Sequence, residues 1–479
     1  MRLVDTATGV ARPLRPLNAG RVTIYVCGAT VHGPPHLGHL RSAITFDLLR
    51  RWLERRSLEV LLVRNVTDVD DTILAKAAEA GRPWWEWAAT HERAFTAAYE
   101  AVGCRPPSAE PRATGHITEA VELVRRLVHR GHAYVGPTGD DGGRDVYFAV
   151  ASWPEYGRLS GTRTDHALSD VELARGKHDP RDFALWKAAK PGEPSWPSPW
   201  GPGRPSWHVE CSAMSTRYLG PAFDVHGGGR DLVFPHHENE MAQSRAAGDG
   251  FAASWMHHGW VTVDGEKMSK SAGNAVTAAD ALMRVRPVEL RAYLLAAHYR
   301  STIDYSEAAL AEAAAGYRRV EAMLGRLHAW SGPIEVGDVP ASFAAALDDD
   351  LATPAAMAVL HTTVRDGNAA LERGDLRGAR EMAGAVRAMA SVLGIDPQDP
   401  TWADHGETDA AGRALEGLVA ELLDERSRAR SSGDFVRADR IRERLGRVGV
   451  DVEDTSHGPR WAVDRGGRTT PPATPEDNP

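Results

Sequence analysis

Residues 22–39 read VTIYVCGATVHGPPHLGH, and the fold follows from how this stretch divides. Val22, Thr23, Ile24, Tyr25 and Val26 form a run of apolar and β-branched residues. Such a run predicts a strand buried on both faces, and it delivers Cys27 and Gly28 at its carboxyl end. A turn carrying Gly33, Pro34 and Pro35 follows, and then an amphipathic helix over 37–55. A second apolar strand, 59–64, ends in NVTDVDD, after which 72–80 turns helical again. Strand, turn, helix and strand, with polar residues at the strand ends, is a doubly wound α/β layout.

Working outward, helices are expected over 84–102 and 117–130, separated by CRPPSAEPR. From 133 to 204 the texture changes: a strand-like 146–149 precedes a Gly-, Pro- and Trp-rich section ending PGEPSWPSPWGPGRPSW. This reads as an insertion between two halves of one α/β domain, with strand and helix signals resuming at Trp207. The segment 260–277, WVTVDGEKMSKSAGNAVT, reads as a strand, a glycine-containing loop and a second loop of lysine and serine. Ala-, Leu-, Arg- and Glu-rich sequence with helical spacing from 287 to 393 predicts a bundle. A linker at 401–407, basic-faced helices over 410–448 and a β-like finish at 449–463 complete the pattern, and 464–479 is polar, Pro-rich and expected to be disordered.

The chain of 479 residues is 42% hydrophobic and 25% charged, an ordinary globular composition for about three or more domains. A net charge of -9 gives no global nucleic-acid footprint, so any RNA contact has to use local basic faces. Only 3 cysteines occur, Cys27, Cys104 and Cys211, which is no disulfide framework and fits a reducing cytoplasm. No apolar leader follows Met1, and no run approaches a membrane span, so a soluble cytoplasmic protein with no membrane partner is expected.

The chemistry concentrates in residues 207–244, WHVECSAMSTRYLGPAFDVHGGGRDLVFPHHENEMAQS. Cys211, His236 and Glu240 offer a thiolate, an imidazole and a carboxylate, all suited to zinc. His236 and Glu240 are four apart and share a helix face. Cys27, at a strand end across the insertion, is the fourth ligand if its strand neighbours the one before Cys211 in a parallel sheet; His237 and Glu238 compete for places in the set. Cys104 reads as a plain thiol. HLGH, His36 to His39, opens a helix after a strand and turn, where amides and dipole favour a phosphate and imidazoles donate to a growing charge. KMSKS, Lys267 to Ser271, lies between Gly265 and Gly273 and suits a flexible clamp on polyphosphate. In GGGRD, 227–231, the glycines allow a close approach, Asp231 suits a ribose hydroxyl or an ammonium, and Trp207 suits the wall of an amino-acid pocket.

HLGH and KMSKS in this order resemble the signature pair of class I aminoacyl-tRNA synthetases. YVCGATV, NVTDVDD, WHVECSAMS, FDVHGGGRDLVFPHHENEMAQS and the C-terminal DFVRADRIRERLGRVGVDVEDTSHGPRW extend the likeness to cysteinyl-tRNA synthetases over nearly the whole chain. Ala29, His32 and Ala272 depart from the residues common in that family and bear on local loop packing.

The resemblance implies a Rossmann-like (HUP) class I catalytic domain with a connective insertion, an α-helical bundle and a small anticodon-binding domain. Its expected segments are 1–116 and 205–260 for the catalytic halves, 117–204 for the insertion, 261–315 for the KMSKS and stem-contact region, 316–400 for the bundle and 405–463 for the anticodon domain. It implies Cys27, Cys211, His236 and Glu240 as ligands of one Zn2+ that also binds the substrate thiolate. Gly28, Thr30, Thr67, Trp207, His226, Gly229, Asp231 and the backbone near Val263 are the implied cysteine and ATP contacts. His36, His39, Lys267 and Lys270 are the implied catalytic groups, acting on ATP with Mg2+. Phe435, Asp439 and Asp454, set among Arg426, Arg428, Arg430, Arg437, Arg440, Arg442, Arg444 and Arg447, are the implied anticodon contacts. The implied partners are L-cysteine, ATP and tRNA(Cys), with the protein a monomer. A cysteine:glucosaminyl-inositol ligase shares the first half-reaction but lacks the RNA-binding end. A non-catalytic RNA-binding derivative would have no need of intact HLGH and KMSKS.

Overall fold

A computed structural model describes residues 1–138, 142–162, 176–268, 275–448, 450–455 and 458–463. The chain forms two compact units, Met1–Asp399 and Pro400–Pro479.

The first unit begins with a hairpin, β1 (Arg2–Asp5) and β2 (Val10–Pro13). Then comes the decisive stretch: β3 (Arg21–Val26), α1 (Leu37–Arg55) and β4 (Glu59–Arg64). Val22, Ile24, Tyr25 and Val26 are buried, as a strand covered on both faces requires. α2 (Asp71–Glu79), α3 (Trp84–Ala101) and α4 (Ile117–His129) follow close to the predicted bounds.

The insertion forms an antiparallel sheet of β5 (Ala133–Thr138), β6 (Arg144–Phe148), β7 (Phe183–Ala188) and β8 (Gly203–Pro205), in that order. Its sequence signalled only one of these strands, because tryptophan, glycine and proline interrupt the alternation. Phe148, Leu185 and Trp186 are fully buried and share one core with Val209, Ala213, Ala242 and Ala246. The insertion is therefore packed against the two helices that follow it.

The second half supplies α5 (Trp207–Leu219), β9 (Ala222–Gly229), α6 (Glu238–Ala246) and β10 (Phe251–His258). The sheet order is β10-β9-β3-β4, with every neighbour parallel. From its two central strands, β3 and β9, the chain winds away in opposite directions, which opens a crevice at their carboxyl ends. One expectation needs correcting. The strand before Cys211 is β8, which lies in the insertion sheet rather than beside β3; Cys211 itself sits on α5.

β11 (Val261–Val263), β12 (Glu266–Lys267), α7 (Ala278–Leu282), α8 (Pro287–Ala296) and β13 (Ile303–Tyr305) make the next region, with strand order β12-β11-β13. α9 (Glu307–Ser331), α10 (Ala341–Asp348), α11 (Thr353–Glu372) and α12 (Leu376–Leu393) follow as the predicted bundle.

The second unit contains α13 (Pro400–Ser431), α14 (Phe435–Arg447) and a hairpin of β14 (Val450–Thr455) and β15 (Gly458–Val463). Val419, Leu423, Ile441, Leu445, Val450 and Val452 form its core. The linker expected at 401–407 is instead the first turns of α13, which Pro400 opens with a favourable fixed φ. The expected tail, 464–479, lies outside the described residues.

Candidate active site and metal centre

Three segments distant in sequence converge at the crevice. Cys27 leaves the end of β3, Cys211 projects from α5, His236 sits in the turn before α6, and Glu240 lies in the first turn of α6. One ligand atom from each lies within 4.8 Å of the others. All four residues are buried, with exposures of 7% or less. Glu240 Oε1 stands 3.0 Å from His236 Nε2 and 3.3 Å from Cys27 Sγ. Its Oε2 stands 2.9 Å from His226 Nε2, so one oxygen is held from behind while the other faces the thiols.

Burial, with the neighbouring Cys211, pushes the Cys27 thiol well up; burial also raises the Cys211 thiol and drives His236 well down. Left alone, the two thiols and the His236 imidazole prefer their neutral forms. Two thiols, an imidazole and a carboxylate at this spacing fit a tetrahedral zinc site, where a divalent cation reverses that preference by stabilising thiolates.

The competing ligands are also located. Glu238 turns away and accepts the backbone N–H groups of Gly157 (2.9 Å), Leu159 (3.1 Å) and Ser160 (2.8 Å), tying the insertion to α6. His237 joins a second possible set with Cys27, His226 and Glu240. Its Nδ1 is 2.7 Å from His257 Nε2, and its Nε2 is 3.9 Å from Glu240, farther than that of His236. The set with both thiols is the better zinc match.

Above the cluster lies a cleft of about 570 Å³. Cys27, Gly28, Thr30, His36, His39, Trp207, Gly229 and Asp231 line it, bringing together eight residues chosen from sequence. Trp207 stacks on His236 at 4.1 Å between ring centroids, so the wall of the cleft also covers a candidate metal ligand. The glycines make room chiefly for the protein itself. A Cβ on Gly28 would stand 1.7 Å from Asn65 O, one on Gly227 would stand 2.2 Å from the Phe46 ring, and one on Gly229 would stand 2.5 Å from Asp231 Oδ1.

HLGH acts as a helix cap. His36 Nδ1 accepts the N–H of Gly38 and His39 Nδ1 accepts the N–H of His36, each at 3.1 Å. A Cβ on Gly38 would come within 2.9 Å of the His36 ring, so only glycine lets that imidazole fold over. With both Nδ1 atoms accepting, each neutral ring carries its proton on Nε2. Buried Arg41, one turn on, donates to the carbonyls of Trp260 (2.6 Å), His298 (3.0 Å), Tyr299 (3.1 Å) and Ser301, fixing the opposite wall against α1.

Three residues expected at the cleft stand behind its wall. His226 is a central residue of β9, fully buried, with its ring stacked on Trp255. Thr67 turns inward because its loop bonds back to Ala29, and its hydroxyl accepts from Asn65. Val263, the last residue of β11, pairs with Glu266 of β12 and Tyr305 of β13, and Val261 reaches the cleft instead. Arg64, Tyr99, His258, Trp260 and Met268 also line it and were missed from sequence. His258 ends β10, so the rule that functional groups gather at carboxyl strand ends was a signal for it.

Lys270 lies outside the described residues, and Lys267 is described only by its backbone in β12. The ends of that loop are fixed at the site. The Met268 N–H donates to Val261 O at 3.1 Å, and the Leu37 N–H donates to Val276 O at 3.2 Å.

In the second unit Phe435 is 62% exposed and Asp439 is exposed, both on α14. Arg440, Arg442, Arg444 and Arg447 are exposed on the same helix, whereas Arg426 is buried. The side chain of Asp454 lies outside the described residues.

Three family models match the chain. One, described as tRNA synthetases class I (C) catalytic domain, matches residues 13–315; a DALR domain matches 342–397; a cysteinyl-tRNA ligase anticodon binding domain matches 413–461. The fold is similar to that of Mycobacterium tuberculosis methionyl-tRNA synthetase in complex with methionyl-adenylate, at 17% identity and a TM-score of 0.57, covering 79% of this chain and 92% of that one. A second structure of that synthetase bound by methionyl-adenylate gives 18% identity and a TM-score of 0.60 over the same shares. Among the described residues no helix is long and apolar enough to cross a membrane.

Proposed function

The chain belongs to the class I cysteinyl-tRNA synthetase family, and from that premise we propose that it ligates L-cysteine to tRNA(Cys) through a cysteinyl-adenylate, with zinc selecting the thiol. The observation that carries this reading is the convergence of Cys27, Cys211, His236 and Glu240 at the cleft lined by His36, Gly38 and His39. Zinc held there supplies a Lewis acid that favours a thiolate over a neutral hydroxyl, which separates cysteine from serine without a second sieve.

In the first half-reaction a carboxylate oxygen of cysteine bonds to the α-phosphorus of Mg2+-bound ATP, and the bond from that phosphorus to the bridging oxygen of pyrophosphate breaks. His36 and His39 donate from Nε2 to the charge that grows on phosphoryl oxygens, and Lys267 and Lys270 neutralise the leaving pyrophosphate. Trp207, Asp231, Thr30 and the backbone at Gly28 and Gly229 orient the amino acid and ribose, and the backbone of β11 at Val261 to Val263 faces adenine. His226 and Thr67 act from behind the wall, His226 by holding Glu240 in position. In the second half-reaction a terminal ribose hydroxyl of the tRNA attacks the cysteinyl carbonyl and AMP leaves.

The bundle 316–400 is assigned to the body of the tRNA. The C-terminal segment 405–463, with Phe435, Asp439 and Asp454, is assigned to the anticodon. Three free cysteines support action in a reducing cytoplasm; the enzyme is proposed to act as a monomer. The test is pyrophosphate exchange with cysteine, followed by a choice of tRNA(Cys) or glucosaminyl-inositol as acceptor. Exchange followed by charging of tRNA alone supports the reading; transfer to the sugar amine, or no exchange, rejects it.

A further inference from the structure

A second, larger cavity of about 1150 Å³ lies against the insertion and shares Asp70, Thr72 and Trp207 with the catalytic cleft. On its wall Lys187 of β7 and Arg204 of β8 are direct cross-strand partners. Two like charges in that relation destabilise a sheet unless an anion lies between them. Here the anion is Asp71, the first residue of α2, which comes from the catalytic half rather than from the insertion. One oxygen of Asp71 stands 2.5 Å from Lys187 Nζ and the other contacts Arg204 Nη2. Burial alone would raise the Asp71 carboxyl, but the two cations lower it to about 2.

The three partners are unequally held. The Arg204 side chain is 3% exposed and has Glu193 at 3.6 Å as a further neighbour, whereas Asp71 is 56% exposed. Three other acids on this wall accept bonds within the fold: Asp70 from Ile73 N–H, Asp145 from Ala188 N–H and the Tyr147 hydroxyl, and Asp182 from Val150 N–H and the Tyr134 hydroxyl; Glu193 approaches Arg204 alone, and less closely than Asp71 does. Asp71 is thus the displaceable anion between a buried guanidinium and a partly exposed ammonium. Two carboxylate oxygens, one on a guanidinium and one on an ammonium, reproduce what two non-bridging oxygens of a phosphodiester would do.

We propose that Lys187 and Arg204 form a phosphate site for the single-stranded 3′ end of the RNA substrate on its way to the cleft, and that Asp71 fills this site until the RNA arrives. The site rests on the reading of the chain as a tRNA-charging enzyme.

The test measures charging of transcribed tRNA(Cys), its binding as a function of salt, and cysteine-dependent pyrophosphate exchange, for wild type, Asp71→Asn, Lys187→Gln and Lys187→Arg. Removing the competing anion in Asp71→Asn lowers the KM for tRNA by about threefold, and Lys187→Gln raises it by about tenfold, the size of one charged hydrogen bond. Lys187→Gln also reduces the slope of log affinity against log salt by about 0.7, the value for one single-strand phosphate contact. Lys187→Arg restores both, and exchange stays at the wild-type rate throughout. If Asp71→Asn and Lys187→Gln raise the KM together, with no change in salt slope, the trio is a fold latch and the proposal is overturned. A wild-type protein that exchanges pyrophosphate yet charges no tRNA overturns the functional reading, and the site with it.

Discussion

The buried Cys27–Cys211–His236–Glu240 cluster and the outer face of α14, in the roles proposed for them, are opposite solutions to recognition. Cys27, Cys211, His236 and Glu240 are held at exposures of 7% or less, each fixed by a different element. Phe435 and Val436, at 62% and 72%, project from one helix without a cover among the described residues. A small substrate that differs from its rival by one atom has to be told apart by buried groups set in advance, since unpaired polar atoms there are costly. A nucleic acid brings its own large surface, so a helix that reads it keeps aromatic and charged side chains in water until they are needed. On the proposed roles, the four ligating groups are already assembled in the folded chain, while the face of α14 becomes a site only with its partner.

The largest expected effect lies at the buried end of this contrast. Cys211→Ala removes a ligand, and cysteine-dependent pyrophosphate exchange should fall by about 10⁴-fold, as for sites built around a lost polar partner. Metal analysis should show the zinc gone while circular dichroism keeps the α/β signature; retained exchange would break the contrast. Next, Lys270→Ala should slow adenylate formation by about 10²- to 10³-fold, the cost of one lost oxyanion donor. Pre-steady-state kinetics with normal cysteine binding would assign the loss to the chemical step.

How much of this was legible in sequence follows the same division. The run 22–26 and the helix 37–55 were readable because hydrophobic period and cap residues agree, and the structure begins and ends α1 where the pattern does. Cys27 was readable as a strand-end thiol because the chain has so few cysteines. The arrival of Cys211 on a helix was not, because the Pro- and Gly-rich approach hides which sheet β8 joins. His226 was placed at the substrate, and the fold puts it behind Glu240, since alternation along β9 gives which residues share a face but not what stacks on them. The role of Glu238 was equally hidden: its three donors are backbone N–H groups of the insertion, which carry no sequence signal.

At the exposed end the effects should be smaller and confined to RNA. Replacing Phe435, Asp439 and Asp454 together by alanine should lower kcat/KM for tRNA(Cys) by about tenfold or more, the value of one lost base stack. Pyrophosphate exchange should not change. Unchanged charging would remove these residues from the site.

The smallest effect concerns acid stability. Burial lowers His258 to about 4 and holds His257 well below its ordinary value. The unfolded chain takes up protons near pH 6.5 that the folded chain refuses, so stability is full above that pH and falls as the pH drops toward 4. Between pH 6.5 and 5.5 the loss is about 1 kcal/mol for each such imidazole. Calorimetry of the first unit's transition should show a lower Tm at pH 5.5 than at 7.5, and His258→Gln should flatten the difference.

If the buried cluster holds the metal that chooses the substrate, cobalt in place of zinc reports the choice as a colour change. Adding cysteine to the Co2+-substituted protein should increase the thiolate-to-metal charge-transfer absorption, and serine should leave it unchanged. A spectrum that cysteine does not alter, in a protein that still forms the adenylate, would contradict the account.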